Sequence, residues 1–231
     1  MKMYFYIAAL AAVCTLSLIG CKTEKNEREK NDVRAQTEKI VRNKTDYGKT
    51  AVDLGLPSGL KWAACNVGAS SPEEAGLYFA WGETTGYSLD AGHVFDKTNY
   101  KAAGIGKDLT LEQDAAHVNL GGNWRMPTKA EFEELIEQTE QKWTDDYEGT
   151  GMAGCIFKSK TNDNAIFLPA CGNFKNSSSV SIFGGFGYYW TSTYHSENGA
   201  WLIRSGDRKL GTYDNVRFYG RSIRGVTQNN T

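Results

Sequence analysis

The 231-residue sequence lacks the signals of several large protein classes. Lys and Arg (26) almost cancel Asp and Glu (27), so the net charge of -1 provides no strong field that would favour nucleic acid as a partner. Proline is scarce, with 4 residues, and the composition is neither collagen-like nor typical of a coiled coil. The 25 glycines and the 12% aromatic residues instead favour many short strands joined by tight loops.

Common catalytic and metal-binding motifs are also missing. The three histidines are His93, His117 and His195, and no two of them have the i, i+4 spacing of an H-E-x-x-H zinc pair. The nearest approach to a G-x-S-x-G nucleophile elbow, residues 55–59, has the wrong spacing, and no G-x-x-x-x-G-K-[ST] phosphate loop occurs. Adjacent acidic residues such as Asp145 and Asp146 are typical of solvated charge. We therefore expect no bound metal, no cofactor and no enzymatic activity.

The first residues have the pattern of a secretory signal. Lys2 is followed by an uncharged, mostly apolar run over 3–19. A transmembrane anchor is the alternative, although this run is just under the roughly 20 residues that span a bilayer. The segment Leu18-Ile19-Gly20-Cys21 resembles the bacterial lipobox, in which the signal peptidase cuts before a cysteine whose thiol carries diacylglycerol. We expect residues 1–20 to be a lipoprotein signal peptide and Cys21 to be the lipidated N-terminus that attaches the chain to a membrane.

The next segment, residues 22–46, predicts a flexible tether. It contains 14 charged residues in 25 and no aromatic residue, so it cannot bury enough apolar surface to offset its conformational entropy. Together with Cys21 it forms the region 21–46. The remainder, residues 47–231, has the size and composition of one folded domain.

Hydrophobic periodicity within this domain predicts an α+β fold with short antiparallel strands, two helices and long loops. One helix is predicted over 127–136, where Thr128 and Glu131 form a capping-box pattern. A shorter helix is predicted over 110–117, with Gln113 as the box partner of the first residue. Strand-like runs are Ala51–Leu54, Leu60–Ala64, Leu77–Trp81, Cys155–Ser159, Ala165–Ala170, Tyr188–Ser192, Ala200–Arg204, Val216–Tyr219 and Ser222–Val226.

Two cysteines flank a predicted hairpin. The runs 155–158 and 166–169 lie on either side of an Asn162–Asn164 turn. Cys155 and Cys171 are each eight residues from Asp163, which predicts that they lie near cross-strand register and could form a disulfide. An envelope location would permit such a bond. The alternative is that both are buried thiols, as we expect for Cys65.

The C-terminal third is rich in aromatic residues next to Ser, Asn and Gly, a composition typical of adaptable binding loops. We predict a contact loop over 192–199, the alternative being an ordinary polar hairpin loop. The candidate ligand-binding residues are Tyr188, Trp190, Tyr194, His195, Asn198, Trp201 and Tyr213.

Five blocks of sequence together resemble one bacterial family. In chain order they are Val52–Thr84, Gly121–Ile136, Asn164–Gly172, Gly187–Thr193 and Gly220–Val226. They are similar to the Fibrobacter succinogenes major paralogous (FISUMP) domain, which is common in Bacteroidetes lipoproteins. That family in turn resembles the C-type-lectin-like fold of formylglycine-generating enzymes, whose W-R-x-P-T-x-A-E-F/W block is matched by residues 124–132. The resemblance implies a compact α+β domain whose N- and C-terminal strands pair and whose long loops present the ligand surface.

The resemblance does not imply the activities known for proteins with this fold, which are formylglycine generation and calcium-dependent sugar binding. Formylglycine generation needs a reactive cysteine pair near the C-terminus, and no cysteine follows Cys171. The E-P-N or Q-P-D and W-N-D motifs of calcium-dependent sugar binding are absent as well. Fold alone does not fix function.

The sequence therefore predicts a non-catalytic lectin-like domain on an outer-membrane lipoprotein, with a carbohydrate or protein ligand and no nucleic-acid partner. Whether it faces the periplasm or the exterior stays open. Two alternatives also stay open: an envelope enzyme acting on polysaccharide or peptide, and a structural or fimbrial accessory subunit.

Overall fold

The computed structural model describes residue 30 and residues 49–102 and 104–228. The chain divides into two compact units, Met1–Lys44 and Thr45–Thr231. The expected signal peptide and Cys21 lie outside the described residues, as does the tether apart from residue 30. Within the part of the chain that is described, no helix is long and apolar enough to cross a membrane.

The second unit has the predicted α+β architecture, built mostly of antiparallel strands in small sheets. The strands are β1 (Ala51–Asp53), β2 (Lys61–Asn66), β3 (Thr139–Thr144), β4 (Gly154–Ser159), β5 (Ala165–Pro169), β6 (Asn173–Phe174), β7 (Val180–Ser181), β8 (Gly187–Tyr194), β9 (Gly199–Gly206), β10 (Lys209–Val216) and β11 (Arg224–Thr227). Within residues 49–102 and 104–228, the α-helices are α1 (Ala115–Leu120) and α2 (Lys129–Gln138). The sheets have the orders β1-β2-β11, β10-β9-β8, β3-β4-β5 and β6-β7.

The terminal strands lie in one sheet, on either side of β2, where the resemblance predicts that they pair. β11 runs antiparallel to β2, with Val226 opposite Trp62, and β1 pairs with the other edge of β2. Both ends of the compact unit are thereby fastened to the same central strand.

Helix α2 begins where the sequence predicts. The Thr128 side chain accepts a hydrogen bond from the Glu131 backbone N–H, and the Glu131 side chain accepts one from the Thr128 N–H, which completes the capping box. Phe132 and Leu135 form the buried face. The shorter predicted helix over 110–117 is wrong in its extent.

That shorter segment is divided by Asp114. A 3-10 turn covers Leu111–Gln113, and α1 starts only after Asp114, whose backbone is extended (φ -90°, ψ 111°). The Asp114 side chain accepts a hydrogen bond from the His117 N–H at 2.9 Å and so acts as the N-cap of α1.

Two strand predictions are wrong, and β3, β6, β7 and most of β10 were not predicted. The run 216–219 is not a strand, because β10 ends at Val216, and the run 77–81 forms isolated bridges rather than a strand. β3 was missed because its sequence, TEQKWT, is mostly polar, and three of its six residues are exposed. It is held by its full ladder with β4, and the half-buried Trp143 is its one large apolar side chain.

The predicted hairpin of β4 and β5 is present, but with a different register. Cys155 lies opposite Leu168, and the last pair, Lys158 with Ala165, centres the turn about one and a half residues before Asp163. Cys171 therefore lies beyond the end of β5 and not across from Cys155. Both are free, buried thiols, so the expected disulfide is not formed; Cys65 is also free and buried.

The β10-β9-β8 sheet lies between two hydrophobic clusters. On one face, Trp190 and Leu202 pack with Trp81 and other residues of the first cluster. On the other face, Tyr189 and Ile203 belong to the second cluster, which includes Phe132 of α2. Because both faces of β8 and β9 are covered, side chains of this sheet reach solvent chiefly along β10 and at the strand ends.

Candidate functional site

Two of the seven predicted ligand-binding residues are core residues. Trp190 is fully buried and its Nε1 donates a hydrogen bond to the Phe79 carbonyl at 3.0 Å. Tyr188 is 7% exposed and belongs to the same cluster. The prediction that they contact a ligand is wrong, because the face of β8 on which they lie packs against the first cluster instead of facing solvent.

Trp201 and His195 do lie together near the surface. Trp201 is opposite Asp214 in the β9–β10 ladder, and the His195 ring meets it edge to face at 4.9 Å. His195 Nε2 lies 3.6 Å from an Asp214 carboxylate oxygen. The Lys129 ammonium of α2 lies over the Trp201 ring at 4.8 Å from its centroid. The Trp201 indole thus already contacts two side chains of the same chain, His195 and Lys129.

Tyr213 points to the opposite side of the sheet. It pairs with Leu202, one position along from the Trp201–Asp214 pair, and successive side chains of a strand alternate between faces. Its exposed ring stacks with the Arg204 guanidinium, whose central carbon lies 4.0 Å from the ring centroid. The predicted residues therefore do not form one continuous surface.

Tyr194 packs against a buried arginine. The Arg217 guanidinium lies over both the Trp81 and Tyr194 rings, with its central carbon 4.6 Å and 4.9 Å from the two centroids. Arg217 is 1% exposed and makes no ion pair with a carboxylate in the described residues. The aromatic faces supply part of the electrostatic compensation that a carboxylate would otherwise give.

Carbonyl groups of two loops supply the remainder. Arg217 Nε donates to the Gly199 carbonyl at 3.1 Å and Nη1 to the Ile105 carbonyl at 2.7 Å, and Nη2 donates to the Ser196 carbonyl. Ile105 belongs to the long segment between β2 and α1, and Ser196 and Gly199 belong to the predicted contact loop. Arg217 therefore holds these two loops at a fixed separation.

A cleft of about 390 Å³ lies between these loops. We call it the loop cleft, and its lining residues are Lys97, Tyr100, Gly104, Glu197, Asn198, Val216, Arg217 and Phe218. Of the seven predicted residues, Asn198 alone lines it. The Asn198 side chain is exposed and makes no hydrogen bond to the described residues, so its amide is free to donate to and accept from a ligand.

The Tyr100 hydroxyl of the loop cleft is fixed in place by a hydrogen bond. It donates to the Trp81 carbonyl at 2.8 Å. Burial raises the pKa of Tyr100 to about 12, although the positive charge of Arg217 opposes the shift. The phenol therefore stays protonated at neutral pH. Lys97 adds one positive charge and Glu197 one negative charge to the lining of the loop cleft.

Sequence reasoning missed Lys97, Tyr100, Arg217 and Phe218 as site residues. Lys97 and Tyr100 lie about 100 residues before the contact loop, and no local pattern marks their proximity to it. Phe218 lies two residues beyond the end of β10, within a run that the sequence predicts as a strand. The sequence signal that does point to this site is the composition of the loop 192–199, which forms one wall of the loop cleft.

A second, more open hollow of about 470 Å³ lies nearby, beside Lys101 and Ile105 of the same long segment. Glu83, Thr84, Thr85, Tyr87 and Gln113 are among its lining residues. No buried charged side chain lines it, whereas the loop cleft has Arg217.

The domain thiols are poor nucleophiles. Burial raises the pKa of Cys65 to about 11, and that of Cys155 and Cys171 to about 12. They remain protonated at neutral pH, whereas only the deprotonated thiolate reacts as a nucleophile.

The residues that the structure describes contain no group of three or more His, Cys, Asp or Glu side chains placed to hold a metal ion. The loop cleft offers the rings of Tyr100 and Phe218, the Asn198 amide and the fixed Tyr100 hydroxyl, which suit binding.

The chain matches no protein-family model, no curated protein and no solved structure.

Proposed function

We propose that this chain is a cell-envelope lipoprotein of the FISUMP type, with a C-type-lectin-like domain that binds a carbohydrate ligand in the loop cleft without turning it over. The sequence blocks listed above support the family assignment. The shared sheet of the terminal strands and the small antiparallel sheets are compatible with the lectin-like fold. The lipobox-like segment supports lipidation at Cys21 and attachment to the outer membrane through the charged tether.

The observation that carries the binding proposal is the composition of the loop cleft. Its volume of about 390 Å³ falls in the range of small-molecule sites. Tyr100 and Phe218 offer apolar ring surface for a sugar face, and Asn198 offers a free amide for hydroxyl groups. The buried Arg217 keeps the walls apart before any ligand arrives, which lowers the ordering cost of binding.

A glycan array probed with the chain from Lys22 onward tests this function. That chain keeps the whole compact unit, residues 45–231. We expect saturable binding to a defined set of glycans and unchanged glycan masses after prolonged incubation. Product formation would show an enzyme instead, and saturable binding to an envelope protein with no glycan bound would show a protein-binding module.

Paired variants test the location. Phe218→Ala and Asn198→Ala should each weaken glycan binding by roughly tenfold or more, as expected for loss of a central contact. Phe183→Ala and Asn123→Ala remove an exposed residue of the same type that does not line the loop cleft and should leave binding unchanged. If Trp201→Ala abolishes binding while the cleft variants do not, the ligand site lies on the Trp201–His195 surface.

The membrane attachment has its own test. Cys21→Ser should abolish incorporation of labelled palmitate and release the chain from the membrane fraction. Protease treatment of intact cells then distinguishes the two orientations, since only a chain facing the exterior is degraded. Retention of the Cys21→Ser chain in the membrane fraction would instead indicate a transmembrane anchor.

A further inference from the structure

Arg221 is a fully buried cation without a hydrogen bond. Its Nε, Nη1 and Nη2 atoms have no partner among the described residues. Arg217 and Arg224 are equally buried, yet each donates to three or more oxygen atoms. The fold therefore satisfies buried guanidinium groups elsewhere, and Arg221 is the exception.

Aromatic rings do not fully compensate this charge. The central carbon of the guanidinium lies 4.1 Å from the Trp190 ring centroid, and the Tyr188 and Tyr219 centroids lie at 5.7 Å and 5.6 Å. Burial lowers the pKa of Arg221 to about 9, while the nearby tyrosines oppose this shift. The group still carries its proton at neutral pH. A buried charge of this kind normally has a counter-ion or a full set of hydrogen bonds.

A second unpartnered polar side chain lies across from it. Phe174 and Gly220 exchange backbone hydrogen bonds of 2.9 Å and 3.1 Å in an antiparallel bridge. The adjoining residues, Asn173 and Arg221, are therefore opposite each other, where side chains share one face and Cβ atoms are about 4.5–5.5 Å apart. Asn173 is fully buried, and neither its amide nitrogen nor its amide oxygen has a partner.

We propose that Arg221 and Asn173 form an internal anion site that binds a single chloride ion. Five guanidinium N–H groups and two amide N–H groups provide donors for a spherical acceptor. The site contains one cation, which one monovalent anion neutralises. Because Arg221, Asn173 and Trp190 are all fully buried, a group attached to a polymer cannot reach the guanidinium, and the ligand must be a small free ion.

Chloride-dependent unfolding tests this site. The chain from Lys22 onward is dialysed into sodium gluconate, and chloride replaces gluconate at constant ionic strength while Tm is measured. A ligand that binds only the folded state should raise Tm by roughly 3–5 °C for each tenfold excess of chloride over its Kd. Arg221→Met should abolish this dependence, while Arg208→Met, which removes an arginine whose side chain is 91% exposed, should retain it.

Bromide soaking of crystals of the unsubstituted chain provides a result that does not depend on the folding of a variant. We expect an anomalous peak between the Arg221 guanidinium and the Asn173 amide. A Tm that is the same in chloride and gluconate, or water in place of bromide at this position, would overturn the proposal.

Discussion

Replacing Arg224 with methionine tests whether a buried guanidinium fastens the terminal strands to the rest of the domain. Arg224 is fully buried at the start of β11. Its Nε donates to the Asn66 side chain at 3.1 Å, and its Nη1 donates to two β2 carbonyls, those of Ala63 at 2.9 Å and Ala64 at 2.5 Å. Its Nη2 reaches the Phe167 carbonyl of β5 at 2.8 Å. One side chain thus joins three strands from two sheets.

Methionine fills much of the same volume but leaves these four acceptors without their donor. Each net hydrogen bond contributes about 1 kcal/mol to stability. Part of this loss is offset, because methionine avoids the desolvation penalty of a buried cation. The free energy of unfolding should therefore fall by roughly 3 kcal/mol. For a unit of this size, that corresponds to a decrease in Tm of roughly 6–12 °C.

Urea unfolding followed by tryptophan fluorescence measures this change, with Arg208→Met as the matched control. Arg208 is 91% exposed, so its replacement should change the free energy of unfolding by less than about 0.5 kcal/mol. If Arg224→Met loses less than about 1 kcal/mol, the hydrogen bonds do little more than offset the desolvation of the guanidinium, and the reasoning fails.

Three further predictions concern the capping box and the thiols. Thr128→Ala removes the hydroxyl that accepts from the Glu131 N–H at 3.2 Å and should lower the urea-derived free energy of unfolding by about 1 kcal/mol, whereas Thr128→Ser should not. Burial raises the pKa of Glu131, but hydrogen bonds from Arg125 and Thr128 outweigh it and hold the pKa below its usual value. The stability that this carboxylate provides is therefore present above its unfolded pKa of about 4.3 and is lost as the pH falls through the folded value. Glu131→Gln should consequently destabilise the chain at pH 7 but not near pH 2, and an equal loss at both values in pH-dependent urea unfolding would contradict this. The three domain cysteines should not react with a thiol reagent in the native chain and should all react in urea, since burial protects them and raises their pKa; rapid native labelling would refute this.

The elements that the sequence predicts well are those specified by neighbouring residues. Helix α2 carries its own start signal and apolar face, so its position follows from residues 127–136. β4 and β5 are likewise recognised from their β-branched and aromatic runs. β3 and β10 were not recognised because their sequences are polar, and each is fixed by its ladder with a neighbouring strand. The register of β4 and β5 depends on the turn geometry, which spacing alone does not determine.

The candidate site was only partly predictable for a related reason. The contact loop 192–199 is visible as a local change in composition, and it does form one wall of the loop cleft. The opposite wall comes from Lys97 and Tyr100, which reach the loop through the tertiary fold. Alternation along β8 and β9 identifies which side chains share a face, but not whether a face is covered. Here both faces are covered, so Trp190 is a core residue.

The arginines explain why aromatic enrichment was a misleading guide to the ligand surface. Arg204, Arg217 and Arg221 each lie within 5 Å of an aromatic ring centroid, and none of them forms an ion pair with a carboxylate in the described part of the chain. Many tyrosine and tryptophan rings of the C-terminal third therefore contact buried or half-buried arginines of the same chain and are not free for a ligand. A ring already stacked on a guanidinium has one face fewer to offer a sugar. The better candidates are polar and aromatic side chains at loop junctions that lack such a partner, and this criterion selects Asn198 and Phe218 in the loop cleft over Tyr213 on the sheet.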